Sequence, residues 1–275
     1  MNFTDKTIWI TGASSGIGKA LATEWADRGA RLVLSGRNED RLAEVAASLD
    51  TETLVVPFDV RDDAAMQQAV AHAVGWHGRV DVFVANAGIS QRSRAQDTAM
   101  KVYREIIEID LLAQIANVQA LLPHMTSSAS AITPAALVFI SSIAGKVGVP
   151  LRTAYSAAKF GLIGYADALR AELSQSHIGV HVVAPGSVAT DVARNALAAD
   201  GSRRGVSDHV IDNGIPPADA ARTIVDGIAA GTREIIVAQG AEAKLGEMRR
   251  TPDALFDQMA GMVAEGYMDK MEAGS

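Results

Sequence analysis

Seven short apolar runs, spaced along the chain by helical stretches and turns, constrain this protein more than any other feature. They fall at residues 7–11, 31–35, 53–58, 80–85, 135–140, 179–184 and 234–238. Between the first four lie three segments of helical period. One sets Ile17, Leu21 and Trp25 on a single face, one sets Leu42, Val45, Ala46 and Leu49 at i, i+3, i+4 and i+7, and one covers about 62–76. Asn38 stands where the second of these needs an N-cap. Strands that alternate with helices over short connections build a parallel sheet with helices on both faces. The expected fold is α/β, a doubly wound and mostly parallel seven-stranded sheet.

The second half continues the pattern with three further helical regions, about 98–125 (interrupted near its end by Pro123), 153–176 and 218–230. Residues 191–217 break it. They are rich in Ala, Gly, Asp and Arg, carry no sustained strand signal, and read as a loop or short helices of the kind that serves substrates. A Met-rich tail at about 252–275 places Leu255, Met259, Met262 and Val263 at helical spacing, which suits core or subunit contact. With no internal repeat and no linker composition, residues 1–275 are expected to form one domain.

Composition narrows the partners. The 275 residues are 48% hydrophobic and 21% charged, enough to bury a sizeable core. There is no cysteine, so disulfides and thiolate metal sites are ruled out. Histidines 72, 77, 124, 177, 181 and 209 do not cluster at ligand spacing, and no metal is expected. A net charge of −7 with scattered basic residues argues against nucleic acid. No signal segment opens the chain, and no apolar run approaches the ~18 residues of a membrane helix. A cytoplasmic protein without membrane contact is the expectation.

The first run leads directly into Gly12-Ala-Ser-Ser-Gly16-Ile-Gly18 and then a helix. Glycines in a strand-to-helix turn permit positive φ and let backbone N–H groups approach a pyrophosphate at the positive helix end. Placed after the first strand of a βαβ unit, this turn points to a Rossmann-type dinucleotide site, although its spacing departs from G-x-G-x-x-G. The second run ends Ser35-Gly36-Arg37. An acidic residue there binds the adenine ribose 2′-OH, whereas an arginine accommodates a 2′-phosphate. Arg37 therefore favours NADP(H), with Arg41 one helical turn on as a weaker helper.

Tyr155 and Lys159 stand four apart in a helical run, on one face, with Cβ atoms roughly 5–6 Å apart. A phenol titrates near 10, and a cation some 4–5 Å away at an effective dielectric of about 20 can draw it down by about 3 units, less what desolvation takes back. That spacing can build a general acid/base working near neutral pH.

In their order along the chain, Thr11-Gly12-x-x-x-Gly16-x-Gly18, Asn86-Ala87-Gly88, Ser142, Tyr155-x-x-x-Lys159 and Pro185-Gly186-x-x-x-Thr190 resemble the single-domain branch of the short-chain dehydrogenases/reductases, over about residues 6–190. The resemblance implies an NADP(H)-dependent oxidoreductase that interconverts a carbonyl and an alcohol. It implies cofactor contacts from Gly12, Ser14, Ser15, Gly16, Ile17 and Gly18, from Asp59 and Val60 beside the adenine, and from Asn86, Ala87 and Gly88. Pro185, Gly186, Val188 and Thr190 would lie at the nicotinamide. Ser142 would hydrogen-bond the substrate oxygen, Tyr155 would exchange its proton, and Lys159 would lower the Tyr155 pKa and hold the nicotinamide ribose. A homodimer or homotetramer is implied as well. Asp110 is the fourth catalytic candidate and departs from the family, whose long fourth helix usually carries an asparagine there that helps hold a water in the proton relay. Apolar Ile143, Val149 and Leu151 suggest a fairly hydrophobic carbonyl or alcohol substrate. The alternative is a regulator that binds NADPH with little or no turnover.

Overall fold

Each strand sends alternate side chains to opposite faces, and here both faces are apolar. Trp9, Val33 and Phe83 point to one side, and Ile8, Ile10, Leu32, Leu34, Val82 and Val84 to the other. A sheet greasy on both sides must be covered on both sides, and the computed structural model of the protein shows it so. The structure describes residues 1–207, 209–248, 261, 264 and 265.

The strands are β1 (Thr7–Thr11), β2 (Arg31–Gly36), β3 (Thr53–Pro57), β4 (Val82–Ala85), β5 (Ala135–Ile140), β6 (Ile178–Pro185) and β7 (Glu234–Val237). They form one sheet in the order β3-β2-β1-β4-β5-β6-β7, every pairing parallel. The order reverses between β1 and β4, and the crevice beyond the carboxyl ends of the strands at such a switch point is where ligands bind in open α/β sheets.

One face is covered by α1 (Gly16–Asp27), α2 (Glu39–Ala47) and α8 (Pro217–Ala229), the other by α3 (Asp63–His77), α5 (Ala113–Ser128) and α6 (Thr153–Glu172). Local signals set their ends. Asn38 caps α2 by accepting the Arg41 N–H at 2.9 Å, Asp62 caps α3 by accepting the Ala65 N–H at 3.0 Å, and Gly78 closes α3 in the left-handed region. The buried Trp9 indole is satisfied by Ser35 Oγ at 2.9 Å.

The region expected as one helix over 98–125 is α4 (Met100–Ile107), a wide turn at Glu108–Leu112 and α5, with Pro123 inside α5. The Gln114 amide donates to the Ile109 carbonyl at 2.9 Å and the Ala87 carbonyl at 2.7 Å, which binds the wide turn to the end of β4. By length and mean hydropathy this 29-residue span could cross a membrane. Reading uninterrupted apolar runs missed it because polar residues are interspersed. In the fold Val118, Leu121 and Met125 are fully buried in the core.

Residues 191–217 are not without structure. Leu197 bridges to Gln91 and Arg203, Val188 to Ile215, and α7 (His209–Asp212) follows. Beyond β7 the chain turns into α9 (Gly240–Met248), which the periodicity of the sequence did not announce. Leu255, Met259, Met262 and Val263 lie outside the described residues.

Candidate active site

The glycine turn is tighter than the sequence requires of an ordinary bend. Gly12 and Gly16 have φ of 67° and 55°, where other residues are strained, and a Cβ on Gly18 would stand 2.3 Å from the Gly12 carbonyl oxygen. Thr11 staples the turn to β4: its hydroxyl donates to the Val84 carbonyl at 3.1 Å and accepts the Asn86 and Ala87 N–H groups at 3.0 and 3.1 Å. The Asn86 amide donates to the Thr11 and Gly12 carbonyls at 2.8 and 3.2 Å, so this side chain holds the turn itself. The N-terminus of α1 then opens at Ser15, with no side-chain cap and no acidic residue in its first turn. Such an end keeps its N–H donors and positive dipole available to an anion. Thr190 closes the other side, its methyl 3.3 Å from where a Gly16 Cβ would sit. A cleft of about 650 Å³ is lined by Gly16 and Thr190 together with residues of α1 and α8, and Tyr155 is not in its lining.

At the tip of β2 Arg37 is exposed, with no carboxylate beside it on that strand. Asp59 lies after β3 and is bound by Arg61 at 2.6 Å, which holds its carboxyl below the ordinary value, with Arg37 adding to the effect. Arg61 is a second cation at this tip that the sequence motifs did not mark. Val60 is buried beside it.

The catalytic candidates converge at the carboxyl ends of β4, β5 and β6. Ser141 and Ser142 point to opposite sides, as strand alternation demands. The Ser141 hydroxyl donates to the Lys159 carbonyl at 3.0 Å, whereas the Ser142 hydroxyl donates to the Pro185 carbonyl at 3.3 Å and accepts the Ala144 N–H at 3.1 Å. Ser142 also acts on the half-buried Tyr155, where its hydroxyl works to lower the phenol pKa. Lys159 Nζ lies 5.5 Å from the Tyr155 ring centre and donates to the Ile140 carbonyl at 3.1 Å. It also meets the Asp110 carboxylate at 3.2 Å. The other Asp110 oxygen accepts the Ile89 N–H at 2.8 Å, and Gly88 leaves the room this carboxylate occupies. Asp110 is fully buried and Lys159 nearly so.

Lys159 acts on Tyr155 in the expected direction, but the net shift there is upward. Burial pushes the Tyr155 pKa up; Lys159 pulls down but does not prevail, and the Asp110 charge adds to the rise. Burial opposes the Lys159 ammonium too, yet Asp110 and Tyr155 together carry it above the ordinary lysine value. Burial likewise pushes the Asp110 carboxyl up, against the pull of Lys159 and the Ile89 N–H.

The loop after β6 has a partner that no motif named. Glu242 of α9 accepts the Ser187 N–H at 2.8 Å and the Ser187 hydroxyl at 2.9 Å, and a Cβ on Gly186 would collide with that carboxylate. Gly186 itself donates its N–H to the Val237 carbonyl at 2.9 Å, and Val188 is buried.

Known proteins share this architecture. A solved short-chain dehydrogenase/reductase from Burkholderia phymatum in complex with NAD superposes with a TM-score of 0.80 at 23% identity, over 92% of this chain and 98% of its own. An alcohol dehydrogenase from the archaeon Thermococcus sibiricus, complexed with 5-hydroxy-NADP, gives 0.72 at 23% identity, over 85% and 96%. In sequence, the Danio rerio dehydrogenase/reductase SDR family member 7B is 37% identical over 246 residues, 86% of this chain and 78% of that protein. The short chain dehydrogenase family pattern matches residues 6–201, most of the chain and every motif above, so this protein belongs to the short-chain dehydrogenase family of oxidoreductases.

Proposed function

We propose that the protein interconverts a ketone or aldehyde and the corresponding alcohol with NADP(H). The observation that carries this reading is the convergence of Ser142, Tyr155 and Lys159 at the carboxyl edge of the sheet, next to the glycine turn. The residues fit a dinucleotide: an uncapped helix N-terminus for the pyrophosphate, Thr190 facing Gly16 across the crevice, and Arg37 at the β2 tip in place of a carboxylate. Arg37 supplies positive charge for a 2′-phosphate, which favours NADP(H) over NAD(H), while Arg61 beside it is paired with Asp59. The bound cofactor supplies the hydride.

The protein's own residues do the rest. Ser142 orients the substrate oxygen, and Tyr155 gives it a proton in reduction or takes one in oxidation. Lys159 favours the phenolate that follows, and Ile140 and Asp110 fix where its ammonium sits. Burial keeps the proton on Tyr155 at neutral pH, and Lys159 lowers the cost of giving it up to the substrate oxygen. Exposed Leu151, Val192 and Val206, on the loops flanking the site in sequence, support a fairly hydrophobic substrate. The Asp110–Lys159 pair favours a second reading, an NADPH-binding regulator with little turnover, because it engages the cation that Tyr155 needs. NADPH consumption with a panel of ketones and aldehydes decides between them. Turnover with NADPH exceeding that with NADH supports the enzyme; tight NADPH binding with no turnover across a broad panel supports the regulator.

A further inference from the structure

Gln91 lies in the loop after β4, and none of the roles above uses it. It is fully buried and its whole side-chain amide is engaged. Oε1 accepts the Ala154 N–H at 3.0 Å, while Nε2 donates to Ser93 Oγ at 3.0 Å and Thr98 Oγ1 at 3.2 Å. The chemistry of the neighbours dictates this orientation. Thr98 donates its hydroxyl to the Arg94 carbonyl at 2.7 Å and accepts from Ser93 Oγ, also 2.7 Å away, which leaves both hydroxyls as acceptors toward Nε2. A flipped amide would set NH₂ against the Ala154 N–H.

Ala154 is the second residue of α6, fully buried, and a helix cannot satisfy its own first N–H groups. Arg152, just before the helix, supplies no side-chain cap. Gln91 therefore caps the helix from across the chain, one residue before Tyr155. A second tie joins the same two segments. Leu151 sits at φ 66°, a left-handed conformation that branched side chains rarely adopt, and its carbonyl accepts the Ser93 N–H at 3.0 Å. The backbone around Gln91 reaches a third segment, since Leu197 donates its N–H to the Ser90 carbonyl at 2.8 Å and accepts the Arg92 N–H at 2.9 Å.

We propose that Gln91 is a positioning residue that ties the aim of the Tyr155 hydroxyl to the seating of the 191–204 segment, by capping α6 at Ala154 while its backbone pairs with Leu197. This rests on the reading of Tyr155 as the proton donor. Gln91→Met keeps the volume and removes the cap. Gln91→Glu keeps an oxygen toward the Ala154 N–H, and the Ser93 hydroxyl can turn to donate to the other while Thr98 donates to Ser93.

With phenylpropane-1,2-dione and NADPH, Gln91→Met lowers kcat about 10- to 100-fold, as a small misplacement of a reacting group does. NADPH affinity stays near wild type, and Gln91→Glu restores most of kcat. Wild-type kcat in Gln91→Met overturns the inference, and so does an equal loss of kcat and NADPH affinity, or a Glu variant as impaired as the Met variant. Should Gln91→Met not fold, Thr98→Val leaves the amide one acceptor short and must show the same split in weaker form; full activity there overturns it. A wild type that reduces no carbonyl removes the Tyr155 reading and this inference together, an outcome distinct from a variant that keeps pace with an active wild type.

Discussion

Asp110 lies against Lys159, and its effect on Tyr155 has a definite sign. A carboxylate beside Lys159 disfavours the phenolate, so it adds to the rise in the Tyr155 pKa that burial produces. Asp110→Asn removes that charge and keeps an acceptor for the Ile89 N–H. Tyr155 then loses its proton at a lower pH, and the rise of alcohol oxidation with pH moves to lower values, while peak activity stays within a few-fold. A pH profile of oxidation checks this, and a dead variant contradicts it. Tyr155, Lys159 and Ser142 were legible because their spacing and order are carried in the chain itself. The rise in the Tyr155 pKa was not, because it is set by burial and by Asp110, which lies far away in sequence. Gln91 and Glu242 were invisible for the same reason: an isolated Gln or Glu acquires its partner only when distant segments meet.

Among the elements, the β1–α1 turn has the least freedom. A methyl on Gly18 cannot be placed without moving both the Gly12 carbonyl and the Asn86 amide. Gly18→Ala is therefore expected to weaken NADPH binding at least tenfold, measured by quenching of tryptophan fluorescence; unchanged affinity would show that the turn is not where the pyrophosphate sits. At the β2 tip, Arg37→Asp exchanges a cation for the carboxylate that suits an unphosphorylated ribose. A charge-assisted hydrogen bond is worth about 1.5–3 kcal/mol, so NADPH affinity should fall roughly 10- to 100-fold while NADH affinity does not. Parallel titrations of the two cofactors read this directly. The turn and the tip were legible because glycine and arginine act through properties of their own. The wide turn at Glu108–Leu112 was not, since it depends on Gln114 bridging the Ile109 and Ala87 carbonyls.

At the scale of the whole molecule, alternation of apolar runs with helical stretches was enough to expect seven strands with both faces covered, and the sheet has that form. Strand order and the switch between β1 and β4 rest on long-range pairing that periodicity does not encode. The core that holds this order is spread over both faces of the sheet, with Trp9 among its largest fully buried side chains. Trp9, in edge-to-face contact with Phe83 at 5.2 Å between ring centres, is fully buried, and Trp9→Ala should cost about 3–5 kcal/mol in denaturant unfolding. That scaffold brings the ends of β4, β5 and β6 together and so sets Ser142 against Tyr155, with Lys159 behind them. The central claim is that Tyr155 moves the proton while the cofactor moves the hydride. Single-turnover oxidation of bound NADPH by a ketone that the wild type reduces tests it most directly. Tyr155→Phe should slow that step by about 10²–10⁴-fold with NADPH affinity unchanged, whereas equal rates in the two proteins would contradict it.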